Sequence, residues 1–401
     1  MTVRAATGPL TGLRVLDMSR ILAGPFAAMQ LGDLGADVIK VEPPSGDDSR
    51  QWLPPSAGGE AAYYLGVNRN KRSIALNLSL DADRAVLRQL AAGSDVLLEN
   101  FRVGTMERWS LGYEQVLAAE NPGLVYCSIT GYGRTGPDAH LPGYDPVIEA
   151  VSGLMSITGE PGGSAMKVGV AVIDIMTGWQ AVSGILAALH ERAKSGKGQR
   201  VDVSLLETAL SSLANQASAY LISGEVPRRH GNAHPAIVPY QTFGTTDGDV
   251  MVGVGNDGQF RTLCRILGAV DLAQDARFAT NPQRVRNRDE LIPLLDRLIG
   301  QLDTAELVRQ AEESGVPIAP VNDLHQAFGS EQVAARKMVI EVDHPTAGRL
   351  RQVGFPIKLS RTPASARRHP PRLDEHAREI LSELGYTDEE ADGWLSTRTA
   401  S

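Results

Sequence analysis

Residues 13–42 read LRVLDMSRILAGPFAAMQLGDLGADVIKVE, and this stretch decides the fold class. Apolar residues dominate Leu13–Met18 and Asp37–Glu42, as is typical of short buried strands. Between them, Phe26–Leu34 is predicted to be a helix that ends at Gly35. A strand, a helix and a strand within about 30 residues predict two parallel strands joined by a right-handed crossover.

The same alternation continues along the chain. Helices are predicted at Ala82–Ala92 and Leu205–Leu221, and the further buried strands are Ser73–Leu78, Asp95–Glu99, Leu124–Thr130 and Gln199–Val203. Strands that alternate with helices predict an α/β domain with a doubly wound parallel sheet. In such sheets, ligands bind beyond the carboxyl ends of the strands.

The pattern changes near residue 225. Two predicted strands, Tyr240–Thr246 and Asp249–Val254, flank Asp247-Gly248, which is a strong hairpin signal. Helical stretches follow near residues 258–267, 288–301 and 304–314. This region is predicted to form a smaller α+β domain that ends near residue 330. Short strands around Val339 and Val353 and two helices are predicted after it.

Composition excludes several classes of function. The chain has 401 residues, 42% of them hydrophobic, and a net charge of −8, which argues against nucleic-acid binding as its main function. Its cysteines, Cys127 and Cys264, have neither disulfide nor metal-site spacing, so we expect no metal. The chain starts without the apolar core of a signal peptide, and no uninterrupted apolar run approaches roughly 18 residues. We therefore expect a cytoplasmic protein without a membrane partner.

One glycine pattern resembles a dinucleotide-binding loop. Gly253, Gly255 and Gly258 match G-x-G-x-x-G. The preceding strand belongs to the predicted hairpin, whereas the dinucleotide fingerprint needs a parallel strand–helix–strand unit. A simple turn is therefore the favoured interpretation.

The most unusual acidic residue is Asp174, which lies inside an almost wholly apolar run, residues 166–194. Burial disfavours a charged carboxylate, so its presence needs an explanation. One interpretation is a helix N-cap that accepts backbone N–H groups of the first turn. The other is a dehydrated nucleophile at a helix start, where the helix dipole tolerates an anion.

Basic residues follow several predicted strands. They include Arg20, Arg102, Arg108 and Arg134, and Asn68–Arg72 precedes another strand. Guanidinium groups bind phosphates through paired hydrogen bonds, so these residues are candidates for binding an anionic ligand. The alternative is that they are solvated surface residues.

Several motifs, in order along nearly the whole chain, resemble the class III CoA-transferases, which include formyl-CoA and carnitine CoA-transferases. The matching stretches are Leu16-Asp17 to Arg20, Ala23–Pro25, Leu34–Glu42, Asn70–Ile74, Glu99–Phe101, Gly131–Gly133 and Gly143–Asp145. Within that family, His234–Gln241 resembles the branch that transfers CoA between succinate and hydroxymethylglutarate.

This resemblance implies an α/β fold with a Rossmann-like large domain and a smaller inserted α+β domain. The large domain would comprise residues 1–224 and 331–401, and the smaller domain residues 225–330. Two chains would interlock as a homodimer. No cofactor would be bound permanently, and coenzyme A would act as substrate and product.

The resemblance also implies roles for individual residues. Asp174 falls at the position of the family's nucleophile, which forms an aspartyl anhydride and then an aspartyl-CoA thioester. The positions that would contact CoA are Leu22, Ala23, Leu76, Asn77, Leu78, Ser79, Asn100, Phe101, Arg102 and Arg108. Those near the acid substrate would be Tyr144, Asp145, His234, Tyr240 and Gln241. The chain departs from the family at Pro43 and Pro142, where basic contacts to CoA are expected.

The implied reaction moves CoA from an acyl-CoA, with succinyl-CoA favoured, to a carboxylic acid, with a dicarboxylate favoured. The alternative within the superfamily is an acyl-CoA racemase, which needs two acid/base groups beside one carbon atom. Racemases carry His before Asp where this chain has Tyr144-Asp145, which argues against racemisation. A non-catalytic CoA-binding protein is disfavoured by Asp174 in its apolar run.

Overall fold

The computed structural model describes residues 7–399. The chain forms two compact units. The larger unit contains the residues up to Gly153, Val168–Ser218 and the residues from Gln332 onward. The smaller unit contains Leu154–Lys167 and Ala219–Glu331.

The larger unit is built on a parallel sheet of six strands. Numbered along the chain, they are β1 Arg14–Asp17, β2 Asp37–Glu42, β3 Lys71–Ala75, β4 Val96–Glu99, β5 Val125–Thr130 and β6 Arg200–Ser204. Their order across the sheet is β3-β2-β1-β4-β5-β6, and every neighbouring pair is parallel. This is the strand order of the Rossmann fold. The α/β class and the parallel sheet are therefore confirmed.

The strand order changes direction between β1 and β4, which lie side by side in parallel. Crevices at the carboxyl ends of strands open at such a point, because the loops leave the sheet in opposite directions. The loops after these two strands begin with Met18 and Asn100. They are the loops that the sequence marked as basic.

Three long helices connect successive strands: Ala23–Asp33 (the first helix), Asp81–Ala92, and Val172–Ser195 (the central helix). The remaining α-helices before residue 224 and after residue 330 are Ala62–Gly66, Thr105–Arg108, Ala118–Glu120, Asp145–Val151, Leu154–Ile157, Leu205–Ser212, Ala214–Ser223, Glu331–Ala335, Ala377–Glu383 and Asp388–Thr399. A 3₁₀ turn, Asp48–Gln51, and a π turn, Tyr113–Leu117, complete these connections.

Two helices differ from their predicted bounds. The first helix begins at Ala23, so Pro25 lies in its first turn, where the missing N–H of proline costs nothing. The predicted helix over 205–221 is two helices, because Ala214 adopts a positive φ of 43° and interrupts the helical path.

The central helix is long and apolar enough, by length and composition alone, to cross a membrane. Its glycines instead pack closely against the larger unit: Gly178 lies against Ala23, and Gly184 lies against Val201. The central helix thus packs against the first helix and the parallel sheet of the larger unit.

The core of the larger unit joins the sheet to helices from both ends of the chain. Leu16, Ile39 and Leu97 of the sheet form one cluster with Leu87 and Ile380, and all five are at most 1% exposed. Residues after Gln332 therefore contribute to this core, and they also form an antiparallel pair, β10 Val339–His344 with β11 Gly348–Val353. Two-residue strands at Ser56–Ala57 and Glu60–Ala61 form a further pair.

The smaller unit has its own sheet and core. Its strands are β7 Tyr240–Gly244, β8 Asp249–Gly253 and β9 Ile318–Pro320, paired antiparallel in the order β9-β8-β7. The predicted hairpin around Asp247-Gly248 is confirmed. Because Gly253 ends an antiparallel strand, the glycine pattern lacks the context of a dinucleotide fingerprint. The helices of the smaller unit after β8 are Asp257–Ile266, Val270–Gln274, Asn281–Arg286, Arg288–Ile299, Thr304–Ser314 and Leu324–Gly329.

Candidate active site

Asp174 lies in the first turn of the central helix, but it does not cap that helix. The cap residue is Ala171, which offers no side-chain hydrogen bond. Instead, Asp145 Oδ2 accepts the N–H of Ile173 at 2.8 Å and that of Asp174 at 3.2 Å. Asp145 is 4% exposed and opens the helix Asp145–Val151. The N-cap interpretation of Asp174 is therefore wrong, because Asp145 satisfies these N–H groups.

The carboxylate of Asp174 is left without a stabilising partner. Asp174 is partly buried, and no residue between 7 and 399 donates a hydrogen bond to its oxygens or forms an ion pair with it. Burial and, second, the negative charge of Asp145 raise the pKa of Asp174 to about 7. A carboxylate with this pKa is a stronger base than a solvated one and is still partly ionised at neutral pH.

Asp174 lines a cavity of about 270 Å³ in the larger unit. The walls come mainly from the loops after β1, β4 and β5, at the carboxyl ends of the strands. The residues around Asp174 in this lining are Arg20, Ile21, Leu22, Ala23, Asn100, Phe101, Arg102, Val103, Ile129, Thr130, Gly131, Ala139, Leu141, Pro142, Gly143, Tyr144 and Leu205. The cavity thus has an apolar wall, one carboxylate, and guanidinium groups on its lining.

A buried ion pair fixes the loop after β1. Lys40 Nζ donates to the carbonyl of Ser19 at 3.0 Å and lies 2.9 Å from Asp47. Asp47 in turn accepts the N–H of Ile21 at 3.2 Å. Ile21 has a φ of +72°, which a β-branched residue rarely adopts. The surrounding hydrogen bonds therefore impose this conformation on the cavity wall.

A second buried ion pair fixes the end of the same loop. Lys71 Nζ donates to the carbonyl of Pro25 at 2.9 Å and lies 2.8 Å from Asp17. Burial alone would raise the pKa of Asp17, but Lys71 and Lys40 outweigh it and lower that pKa. The loop that lines the cavity is thus held from beneath by two lysines.

Gly178 lets the first helix approach the central helix one turn after Asp174. A Cβ atom at Gly178 would lie 2.8 Å from the carbonyl oxygen of Ala23 and 2.9 Å from the ring of Phe26. Real side chains do not tolerate the first distance, so only glycine allows this packing.

The basic segment Asn68–Arg72 does not contribute to the cavity. Arg69 pairs with Asp33 at 2.6 Å, and Arg72 pairs with Asp37 at 2.5 Å. Both arginines are almost fully buried. The expectation that this segment binds an anionic ligand is wrong, as is the solvated alternative, because acidic residues of the same unit already neutralise it.

Comparison with known proteins identifies the family. A model of CoA-transferase family III matches residues 10–377 of the chain. The chain belongs to this family. It is 46% identical over 383 residues to a succinate–glutarate CoA-transferase of Agrobacterium fabrum, covering 94% of this chain and 96% of that one. It is 44% identical over 388 residues to a succinyl-CoA:glutarate CoA-transferase of Homo sapiens, covering 96% and 88%.

The fold comparison agrees. The crystal structure of a CaiB/BaiF family protein from Brucella suis matches with a TM-score of 0.84 and 44% identity, covering 94% of this chain and all of that one. The resemblance found in the sequence is therefore confirmed, and the chain is a class III CoA-transferase.

The structure brings together about half of the positions that the family resemblance places against CoA. Leu22, Ala23 and Asn100–Arg102 all line the cavity of Asp174. Leu76 and Leu78 are buried in the core after β3, and the N–H of Asn77 donates to Asp83 at 2.6 Å. Neither these residues nor Ser79 and Arg108 belong to the cavity lining. Arg108 is exposed, and its guanidinium donates to Thr105 at 2.8 Å.

The positions expected near the acid divide between the two units. In the larger unit, Tyr144 lines the cavity and is 60% exposed, whereas Asp145 is buried behind the start of the central helix. In the smaller unit, His234, Tyr240 and Gln241 lie at or just before β7. The rings of His234 and Tyr240 are 5.5 Å apart.

In the smaller unit, Arg228 and Arg288 lie close to His230, in the loop that precedes β7. Burial, followed by the charges of Arg288, Arg228 and His234, lowers the pKa of His230. Arg288 donates to the carbonyl of His234 at 2.6 Å. It has no carboxylate within 4.0 Å among the residues that the structure describes. The loop is not free of acidic residues, because the carboxylate of Glu160 lies against Gly231 and the charge of Asp289 acts on Arg288.

The sequence does not mark one residue that lies near Asp174. Burial and then the charge of Asp174 raise the pKa of Tyr63 to about 12. Its ring packs edge-to-face on Trp52, with 4.9 Å between centroids. No periodicity or motif marks Tyr63, because its proximity to Asp174 arises only in the tertiary fold. Among residues 7–399, no three His, Cys, Asp or Glu side chains are grouped to hold a metal ion.

Proposed function

We propose that this enzyme transfers CoA from succinyl-CoA to a dicarboxylic acid, with Asp174 as the nucleophile. The observation that carries the proposal is the Asp174 carboxylate, which lines a cavity and has no partner. Carboxylates without partners are costly to bury, so they persist where a function requires them.

The reaction would proceed by acyl exchange. Asp174 attacks the thioester carbonyl, releasing CoA thiolate and forming an aspartyl–acyl anhydride. The thiolate attacks the aspartyl carbonyl, which frees the donor acid and leaves an aspartyl-CoA thioester. The acceptor carboxylate attacks this thioester, which releases the CoA thiolate and forms an aspartyl–acceptor anhydride. The thiolate then attacks the acceptor's carbonyl in that anhydride and displaces the Asp174 carboxylate. The new acyl-CoA departs, and Asp174 is a carboxylate again.

The cavity supports this chemistry in two ways. A carboxylate is a weak nucleophile in water, and its partial burial removes hydration that would otherwise have to be lost during attack. Apolar side chains such as Leu22, Ile129 and Leu205 line the cavity and would limit hydrolysis of the anhydride. Asp145 holds the N–H groups of the first helical turn and would fix the backbone of Asp174.

The substrate proposal rests on the relatives and on charge. Two relatives are named for succinate or succinyl-CoA and glutarate. Arg228 and Arg288 carry positive charge beside His230, and neither forms an ion pair within 4.0 Å among residues 7–399, which suits an acid with a second carboxylate. We propose substrate roles for Tyr144 and Asp145 in the larger unit and, separately, for His234, Tyr240 and Gln241 in the smaller unit.

The assembly is also part of the proposal. We propose an interlocked homodimer in the cytoplasm, with a large domain of residues 1–224 and 331–401 and a smaller domain of residues 225–330. Large apolar side chains of the smaller unit support a partner surface, because Leu221, Ile222, Val226 and Leu324 are each at least 74% exposed. Size-exclusion chromatography with light scattering would give the mass of a dimer, and a monomer would contradict this part.

A substrate panel tests the function. The enzyme would be incubated with succinyl-CoA and either glutarate, glutarate monoamide or butyrate, and new acyl-CoA would be measured by mass spectrometry. We expect glutaryl-CoA to form at least about tenfold faster than the other products, since a charge-assisted hydrogen bond is lost in each. Equal rates would remove the dicarboxylate claim. No transfer to any acid from any acyl-CoA would remove the proposed function.

A further inference from the structure

Two arginines on the cavity lining have no place in the mechanism above. Arg20 and Arg102 are the basic residues that line the cavity of Asp174, among the residues that the structure describes. Both are exposed. A cavity in an acidic protein that keeps two exposed guanidinium groups is suited to an anionic ligand.

The backbone of Arg20 is held in place by neighbours. Asn100 Oδ1 accepts the N–H of Arg20 at 2.9 Å, and Asn100 Nδ2 donates to the carbonyl of Arg20 at 2.8 Å. The next residue, Ile21, is fixed by Asp47. Arg20 therefore extends an exposed guanidinium from a fixed backbone position, so that the backbone need not become ordered when a ligand binds.

The guanidinium of Arg20 is only weakly engaged in the free enzyme. It lies 5.9 Å from the centroid of the Phe101 ring. Its Nη1 atom is 3.4 Å from Asp48, whose side chain is 61% exposed. Exposed ion pairs of this kind contribute little, so a phosphate could replace Asp48 as the partner of Arg20. Arg102 has no carboxylate within 4.0 Å between residues 7 and 399.

The family resemblance leaves a place for such a role. Two of the positions where it expects basic contacts to CoA are Pro43 and Pro142 in this chain, and neither proline carries a charge. Pro142 nevertheless lines the cavity. Positive charge for the phosphates must therefore come from other elements, and Arg20 and Arg102 lie on the same lining.

We propose that Arg20, together with Arg102, binds the phosphate groups of CoA and supplies the positive charge that Pro43 and Pro142 cannot provide. Asp48 competes for Arg20 when the site is empty. This inference rests on the proposed function, because it takes the cavity as the CoA site. It adds a residue that determines specificity for the nucleotide end of the thioester.

The test compares three donors of decreasing length: succinyl-CoA, succinyl-3′-dephospho-CoA and succinyl-pantetheine. For Arg20→Met, we expect KM for succinyl-CoA to rise about 10- to 100-fold with kcat unchanged, as for loss of a hydrogen bond to a charged group. With succinyl-pantetheine, which lacks every phosphate of the nucleotide, the change should be under about twofold. Arg88→Met is the matched control, because Arg88 is an exposed arginine paired with Glu120 and does not line the cavity.

The dephospho donor identifies the phosphate. If the effect of Arg20→Met vanishes with succinyl-3′-dephospho-CoA, Arg20 binds the 3′-phosphate; if it persists, Arg20 binds the diphosphate. Either pattern supports the proposal. Equal loss with succinyl-CoA and succinyl-pantetheine would overturn it, because that pattern indicates damage to the cavity. Unchanged KM for all three donors would also overturn it.

A gain of affinity gives a second, independent readout. Asp48→Asn removes the competing carboxylate, so CoA should bind a few-fold more tightly by isothermal titration calorimetry. Structural damage does not produce such a gain, and weaker or equal binding would contradict the competition. Calorimetry needs no turnover. If the wild type binds CoA but transfers it to no acid, the proposed function fails while the phosphate site can still be judged from Arg20→Met.

Discussion

Two sets of buried carboxylates in the larger unit have opposite environments. Asp17 and Asp47, beneath the loop after β1, are fully buried, and each pairs with a lysine within 2.9 Å. Asp174, which lines the cavity beyond the same sheet edge, has no lysine, arginine or histidine nitrogen within 4.0 Å of its carboxylate among residues 7–399. The pKa values of Asp17 and Asp47 are lowered by these lysines in spite of burial, whereas that of Asp174 is raised to about 7.

The difference separates acids that are stabilised by ion pairs from the acid that we propose as the nucleophile. A carboxylate that accepts hydrogen bonds and faces a lysine is stable as an anion and gains nothing from attack on an electrophile. Asp174 is destabilised as an anion, first by burial and then by Asp145. In the proposed mechanism, acylation would remove that charge, so the protein environment would favour the anhydride and thioester states of Asp174.

The largest effect is expected at Asp174 itself. Asp174→Asn keeps the shape of the side chain but cannot form an anhydride, so transfer should fall by about 10⁴-fold or more. Turnover of succinyl-CoA is measured by mass spectrometry, and CoA binding by calorimetry should persist. A variant that retains more than a hundredth of the activity would place the nucleophile elsewhere.

For a carboxylate that pairs with a lysine, we expect the main effect on the stability of the fold and not on the transfer reaction. Lys71→Met leaves Asp17 buried without the lysine that lies 2.8 Å away, which should lower the free energy of unfolding by about 3–5 kcal/mol. Urea unfolding at neutral pH measures this loss. Arg88→Met, at an exposed ion pair, is the control and should change nothing measurable. A Lys71→Met protein as stable as the wild type would remove the structural role of this pair.

The first helix connects the two carboxylate environments, because Gly178 of the central helix packs against its Ala23 and Lys71 donates to its Pro25 carbonyl. Gly178→Ala would place a Cβ atom 2.8 Å from the Ala23 carbonyl, so the central helix has to shift. We expect a loss of about 1–3 kcal/mol in unfolding free energy and a lower kcat/KM. Gly66→Ala, where a Cβ would meet nothing within 4 Å, is the matched control. Equal stability of the two variants would contradict this packing.

Smaller changes should appear in the pH dependence of activity. Because the pKa of Asp174 is about 7 and attack needs the anion, kcat/KM should rise with pH and level off above that value. Asp145→Asn retains an acceptor for the two N–H groups but removes a negative charge, so the rise should move to lower pH. An unchanged or higher apparent pKa in Asp145→Asn would show that Asp145 does not act on Asp174 through its charge.

The smallest effect concerns stability. The pKa of Asp174 is raised from 3.8 to about 7 on folding, so the ionised group disfavours the folded state. This cost is absent at pH 3.8 and below, grows between pH 4 and 7, and is complete above pH 7. Asp174→Asn should therefore have a higher Tm than the wild type at pH 8, and the difference should shrink toward pH 4. The same difference at both pH values would contradict the raised pKa.

Local patterns sufficed for the fold class and for the candidate nucleophile. The alternation of strands and helices from Leu13 onward predicted the parallel sheet, and the apolar run around Asp174 marked the unusual acid. The family resemblance placed Leu22, Ala23 and Phe101, and the structure groups them on one cavity lining with Asp174.

The remaining features depend on contacts between distant residues. Asp145 accepts the N–H of Asp174 from 29 positions earlier in the chain, and no periodicity encodes such a pair. In the sequence, Arg69 and Arg72 are candidates for binding an anion. In the fold they pair with Asp33 and Asp37, which lie on other elements. Composition gives the charge of a side chain, but its neighbours in the fold decide whether that charge is available.

The central claim is that Asp174 becomes acylated during turnover. The most direct measurement supplies the acceptor acid with both carboxylate oxygens of the reacting group as ¹⁸O, allows many turnovers with succinyl-CoA, and then analyses the peptide that contains Asp174 by mass spectrometry. The account predicts that ¹⁸O accumulates in the Asp174 carboxylate, because the thiolate attacks the acceptor's carbonyl and leaves the bridging oxygen on the enzyme. Full turnover without label in Asp174, or with label in another residue, would contradict it.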